Sequence, residues 1–345
     1  MKPLRIFIQN AQSGPLTADE IRYAFKVLLA TAGYPWHFLK KYTGKDLDIF
    51  YGDKPYGDYR LNITQEMTGR DAIRIPAHTA VVNDVPYLFF SGRGAAHDSI
   101  VGDNGIRGCI DSDIVLSTFF LLSGWHEKGV SLDKHGRPQV EDSYLYKNRL
   151  LVNPPINRWA LALRKIFNPH QAHIPPWPGN KEYAVALSHD VDYPELVGWV
   201  ECLRYILAHR HRTRPGTMID ILTQKESFWK FNEWIALEKR FNVRSAFYFS
   251  GLRGSIARYI FKAPDPLYDV SKRIFSEAMQ LLINNGFEVG MHSSYYAYRS
   301  TENFLKEKMA VERASGGRVF GNRHHYWHLN QDNPLETFRI HQRIG

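Results

Sequence analysis

Cysteine is scarce. Cys109 and Cys202 are the only two in 345 residues, far apart and without Cys-x-x-Cys spacing. That leaves no basis for a disulfide framework or a cysteine-ligated zinc site, and predicts free, mostly buried thiols. Long apolar runs are missing too: no stretch reaches membrane-spanning length, so no transmembrane segment is expected. The opening "MKPLRIFIQN" turns polar too early for a signal peptide. Its apolar patch reads as a first strand, and a cytoplasmic location is expected. Short repeats and the composition of a disordered chain are equally absent.

What remains is rich in core-forming material. The chain is 44% hydrophobic and 14% aromatic, enough for sizeable cores, and its length predicts more than one domain. The formal charge is +9, with a visible cluster in "RYILAHRHRTRPG" (204–216). That run reads as a solvated helix end; contact with an anionic polymer or membrane surface is the alternative. No nucleic-acid-binding module accompanies it, and no nucleic-acid partner is expected.

Residues 1–167 predict an N-terminal α/β domain. "LRIFIQN" (4–10) reads as a strand. Thr17 and Glu20 stand in capping-box spacing before Ile21, Phe25, Leu28 and Leu29 at helical period, and Gly33 stops the helix. Strands are expected at 47–52, 59–63, 72–77 and 86–92, and helices at 113–127 and 157–167. Four prolines and a glycine make 168–180 a linker. From 181 to 345 strand and helix alternate: strands at 183–189, 243–251, 287–292 and 318–329, helices around 194–209, 225–241, 269–286 and 300–317. Regular alternation predicts a parallel sheet with right-handed crossovers, either open or closed as a barrel.

In such folds chemistry gathers at the carboxyl ends of strands. Three predicted strands here end in ligand-type side chains: His189-Asp190-Val191-Asp192, His292-Ser293-Ser294 and Arg323-His324-His325. Carboxylate plus imidazole suits a zinc-like divalent ion, with a position left open for water in a catalytic site. The Asp-x-Asp is not an EF-hand loop, because Pro194 holds the third acidic position and no glycine follows.

At these residues the chain resembles the polysaccharide deacetylase (NodB-homology) family, in a divergent branch. "SHDVDYP" looks like that family's first motif in its separated Asp-x-Asp form. "NNGFEVGMHSSYYAY" is similar to its second, and "VRSAFYFSG" to the strand between them. "GNRHHYWHL" resembles an Arg-x-His-Tyr stretch of the divergent branch. The resemblance implies Asp190 as general base and Asp192 and His292 as metal ligands. His325 becomes the candidate third ligand, ahead of its neighbours His324 and His328. The family's usual second His, four residues after the first, is Tyr296 here. His189, Ser293, Arg323 and Tyr326 are implied substrate or supporting positions.

The fold implied for 181–345 is a distorted (β/α) barrel whose C-terminal part, with a substrate-contacting Arg motif and an acid His, is missing. The chain therefore reads as truncated. The stretches "DSDIVLSTFFLLSGWHEKG" and "DKHGRP" resemble a domain, of no known activity, that often precedes this branch. The implied activity is zinc-dependent removal of acetyl from an N- or O-acetylated sugar of a surface polysaccharide. Two other readings stand beside it: a glycan-binding or scaffold protein with a decayed site, and an Asp-x-Asp glycosyltransferase. The latter leaves His292-Ser293 without a role.

Overall fold

The computed structural model describes residues 2–9, 14–76, 78–90, 108–133, 135–167, 177–181, 183–195, 197–208, 214–223, 228–261, 265–330 and 333–345. They form two compact units: Met1–Asp133 with Pro138–Ala184, and Lys134–Arg137 with Val185–Gly345. Both are mixed α/β. Residues 168–176 of the predicted linker and 209–213 of the basic run lie outside the described residues. No described helix is long and apolar enough to cross a membrane.

In the first unit β1 (Leu4–Ile8) leads into α1 (Ala18–Ala32), then β2 (Trp36–Phe38), β3 (Leu47–Tyr51) and β4 (Tyr59–Ile63). The capping box forms as its spacing requires. The Thr17 amide donates to Glu20 at 2.8 Å, the Glu20 amide donates to the Thr17 hydroxyl, and Gly33 closes the helix at φ 79°. The hairpin β5 (His78–Val82) and β6 (Val85–Phe89) turns through Asn83 and Asp84, both left-handed. β7 (Gly108–Ile110), α2 (Ile114–Leu122), α3 (Tyr144–Lys147) and α4 (Pro155–Phe167) complete it. Strand order β2-β1-β3-β4-β7 is parallel throughout.

The strand expected at 72–77 is corrected: a 3-10 turn occupies Arg70–Ala72, and pairing begins only at His78. Pro76 offers no amide to a ladder, and the Asn-Asp turn sets the register instead. At the carboxyl ends of β3, β4 and β7 lies a cleft of about 550 Å³ lined by Asp53, Lys54, Gln65, Glu66, Asp111 and Asp113, among others. Burial pushes Asp113, the N-cap of α2, up to about 6.

The second unit runs β8 (Ser188–Val191), α5 (Gly198–Ala208), α6 (Pro215–Leu222), α7 (Phe231–Arg240), β9 (Ala246–Phe249), α8 (Ile256–Phe261), α9 (Arg273–Asn284), β10 (Glu288–Ser293), α10 (Thr301–Ser315), β11 (Asn322–His324) and α11 (Pro334–Ile344). Its sheet has the order β11-β10-β9-β8, all parallel. Alternation divides the strands cleanly. Val191, Phe247, Phe249, Val289 and Met291 join the core with Phe231, Phe275, Leu282 and Phe304. The other face carries Ser188, Asp190, Tyr248, Gly290, His292 and Arg323. Closure of this sheet into a barrel is not seen among the described residues.

Several expected elements shrink. Tyr183–Leu187 is not strand, and Tyr183 and Val185 are 74% and 66% exposed. β9 begins at Ala246, so only the Leu187 carbonyl reaches the ladder, accepting from the Ala246 amide at 3.0 Å. The strand expected over 318–329 is three residues long, because Tyr326 and Trp327 turn left-handed at φ 57° and 54°. α7 starts at Phe231 rather than 225, and Ile274 of α9 is exposed. α6, with Pro215 at its first turn, carried no anticipated signal.

Candidate metal centre

Asp192, His292 and His325 each bring one ligand atom to within 4.8 Å of the others. Asp192 follows the end of β8, His292 lies in β10, and His325 is the residue after β11. Parallel register places His292 beside Arg323, whose carbonyl accepts a 2.8 Å hydrogen bond from His292 Nδ1. A carbonyl only accepts, so Nδ1 carries the proton and the neutral ring turns the Nε2 lone pair toward Asp192. His325 is fixed in the same way: its Nδ1 lies 3.0 Å from the buried Asp265 carboxylate, which frees Nε2. An imidazole held by a carbonyl and an imidazole held by a carboxylate are the outer-shell arrangements that orient metal-binding histidines.

The remaining contact tests whether a cation fits. Asp192 Oδ1 and His292 Nε2 stand 3.3 Å apart, yet Oδ1 is buried with no hydrogen-bond partner. Two ligands about 2.0–2.1 Å from a tetrahedral ion are separated by about 3.3 Å. The orphaned carboxylate oxygen, the bare imidazole lone pair and their spacing fit a zinc-like ion. Burial raises Asp192, but His292 and His325 outweigh it and hold the acid below its ordinary range. Burial lowers His292, but Asp192, the Arg323 carbonyl and Asp190 outweigh it, and the imidazole is raised.

Asp190 lies on the same sheet face. Arg323 reaches it across β10 and β9, donating from Nη1 to Asp190 Oδ1 at 2.9 Å and from Nη2 to Ser188 Oγ at 2.6 Å. Its guanidinium passes over the Tyr248 ring, 5.0 Å from the centroid. Gly290 makes room: a Cβ there would meet that ring at 2.5 Å. His189 points to the opposite face, where its Nε2 donates to the Glu238 carboxylate at 2.7 Å and its ring stacks on Phe247, so it does not orient Asp190. Ser293 is fully buried and backs the Arg323 carbonyl at 3.5 Å.

The other imidazoles are occupied elsewhere. His324 faces the core, stacked on His341 with their Nε2 atoms 2.8 Å apart, and burial pushes it down to about 3. His328 bonds the Tyr295 carbonyl at 2.7 Å and stacks on that ring. Tyr326 packs against His325 at 4.7 Å between ring centroids. Tyr296, at the position of the family's second His, lies under Arg299 at 4.1 Å. Tyr295 is buried.

Two residues escaped the sequence reading. Asp265 sits in a proline-flanked loop with no periodicity to mark it. Its Oδ1 accepts from both His325 Nδ1 and the Tyr295 amide. Glu307 had a legible signal, a carboxylate on the core-facing stripe Phe304–Val311 of α10. It accepts from the Ser294 amide and hydroxyl at 2.7 and 2.6 Å, and burial pushes it up to about 7.

Comparison with solved structures gives three matches, two of them the following partial superpositions. A CE4-family pseudoenzyme from Bacillus anthracis aligns at 12% identity and TM-score 0.26, over 46% of this chain and 39% of that one. A protein provisionally named a polysaccharide deacetylase, from Mycobacterium smegmatis, aligns at 19% identity and TM-score 0.29, over 48% and 51%. This chain spans at most about half the length of either. No curated protein matches the chain. Residues 12–171 match a family of unknown function (DUF7033).

Proposed function

We propose that the second unit is a metal-dependent hydrolase of the polysaccharide deacetylase type, acting on an N- or O-acetylated sugar of a surface polysaccharide through a site on a distorted barrel. The observation that carries this reading is the orphaned Asp192 Oδ1 facing the His292 Nε2 lone pair, with His325 held beside them. Asp192, His292 and His325 would hold the ion, zinc by its donor chemistry. When bound, zinc lowers the pKa of a water toward neutrality and polarises an acyl oxygen.

The protein's own groups supply the rest. Arg323 fixes Asp190 on the sheet face shared with His292, where the carboxylate accepts the proton of the attacking water. The Arg323 carbonyl and Asp265 keep both imidazoles in the ligating tautomer. Acetate release from N-acetylhexosamine oligomers by the zinc-loaded chain is the expected result, lost in Asp190→Asn. Zinc binding with oligomer binding but no acetate release would replace this reading with a non-catalytic glycan binder.

A further inference from the structure

Lys134–Arg137 belongs to the second unit although it lies far upstream of the rest of it. Its one imidazole is buried: His135 is 8% exposed. His135 Nδ1 and the Tyr295 hydroxyl share a 3.0 Å hydrogen bond across 160 residues of sequence. The same ring stacks on Tyr326, with centroids 4.5 Å apart and planes at 25°.

Both partners lead to the third ligand. The Tyr295 amide donates at 2.7 Å to Asp265 Oδ1, the atom that also accepts from His325 Nδ1. Tyr326 is bonded to His325 in sequence and adopts a left-handed backbone, φ 57°, followed by Trp327 at φ 54°. Two successive non-glycine residues in that region persist only where the surroundings over-determine them. The stack with His135 packs on the first of them.

We propose that His135 is a positioning residue for the metal centre. It clamps Tyr295 and Tyr326 from outside, and so holds Asp265 and the turn after β11 in the arrangement that presents His325 Nε2. This rests on the metal-site reading above and extends it to a segment that carries no ligand. Without His135 the ion keeps Asp192 and His292 and loses the ordered third imidazole.

The test uses the full chain, with zinc affinity measured by chelator competition and ligand geometry read from the visible spectrum of the cobalt-substituted protein. His135→Ala is expected to weaken zinc on the order of 10-fold, the scale of outer-shell substitutions, and to shift the cobalt bands. His135→Phe fills the volume and keeps the stack without the bond to Tyr295, and is expected to weaken zinc less. Unfolding of the metal-free variants identifies any loss of fold; if the alanine variant does not fold, the phenylalanine variant decides. Wild-type affinity and spectrum in the folded His135 variants, with Asp192→Ala devoid of zinc, would overturn the clamp alone. Wild-type zinc binding in Asp192→Ala would overturn the metal site and the clamp with it.

Discussion

Asp265 is where the metal-site account is most exposed to a single substitution. Its Oδ1 carries two bonds at once, to His325 Nδ1 at 3.0 Å and the Tyr295 amide at 2.7 Å, in a residue only 3% exposed. Asp265→Asn keeps an acceptor oxygen but removes its charge. Charge-assisted bonds are roughly twice as strong as neutral ones, so zinc affinity should fall about 10-fold. Asp265→Ala removes the acceptor and frees the imidazole to rotate, which puts the loss near 100-fold, the upper end for outer-shell partners. It also leaves the Tyr295 amide without this partner, at a stability cost of about 1–3 kcal/mol in the metal-free chain. Chelator competition reads the affinities. Unfolding provides an independent check: zinc at 100 times the wild-type Kd stabilises wild type by about 2.7 kcal/mol, but a 100-fold weaker variant by only about 0.4 kcal/mol. Both variants binding zinc within twofold of wild type would refute the role given to Asp265, and with it the tautomer argument for His325.

Glu307, raised to about 7, titrates at a lower pH once unfolded. The folded state therefore holds the proton more tightly. The stability this contributes is present below about pH 4.5 and is lost as pH rises through about 7, by up to about 3 kcal/mol. Glu307→Gln should flatten that slope in urea unfolding of the metal-free chain; an unchanged slope would assign the pH dependence elsewhere. Gly290→Ala drives a Cβ to 2.5 Å from the Tyr248 ring beneath Arg323. It should cost about 1–3 kcal/mol, and wild-type stability in denaturant would contradict the close packing. Arg323→Ala keeps the backbone carbonyl that orients His292, so zinc affinity should stay within about threefold. Acetate release should drop on the order of 10²-fold as Asp190 loses its anchor; parallel loss of zinc and activity would place Arg323 in metal binding instead.

Periodicity and caps made α1 legible: Thr17, Glu20 and Gly33 bound it as written in the sequence. The parallel arrangement of the second unit followed from the alternation of elements. Strand lengths did not, because a strand extends only as far as its neighbour offers a ladder, and Tyr183–Leu187 has the composition of a core strand without that partner. In the site, the ligand types at three strand ends were readable, since register in a parallel sheet brings corresponding ends together. His189 was not, because one residue of alternation sends it to the core face and Glu238. Asp265 and His135 were illegible for another reason: each acts through contacts distant in sequence, which no local spacing records.

The most direct measurement of the central claim is zinc stoichiometry after dialysis, determined by elemental analysis of the wild-type chain and single variants. One zinc per wild-type chain is expected, with its loss in Asp192→Ala, His292→Ala and His325→Ala and its retention in Asp190→Asn. Equal, substoichiometric metal in wild type and all four variants would contradict it.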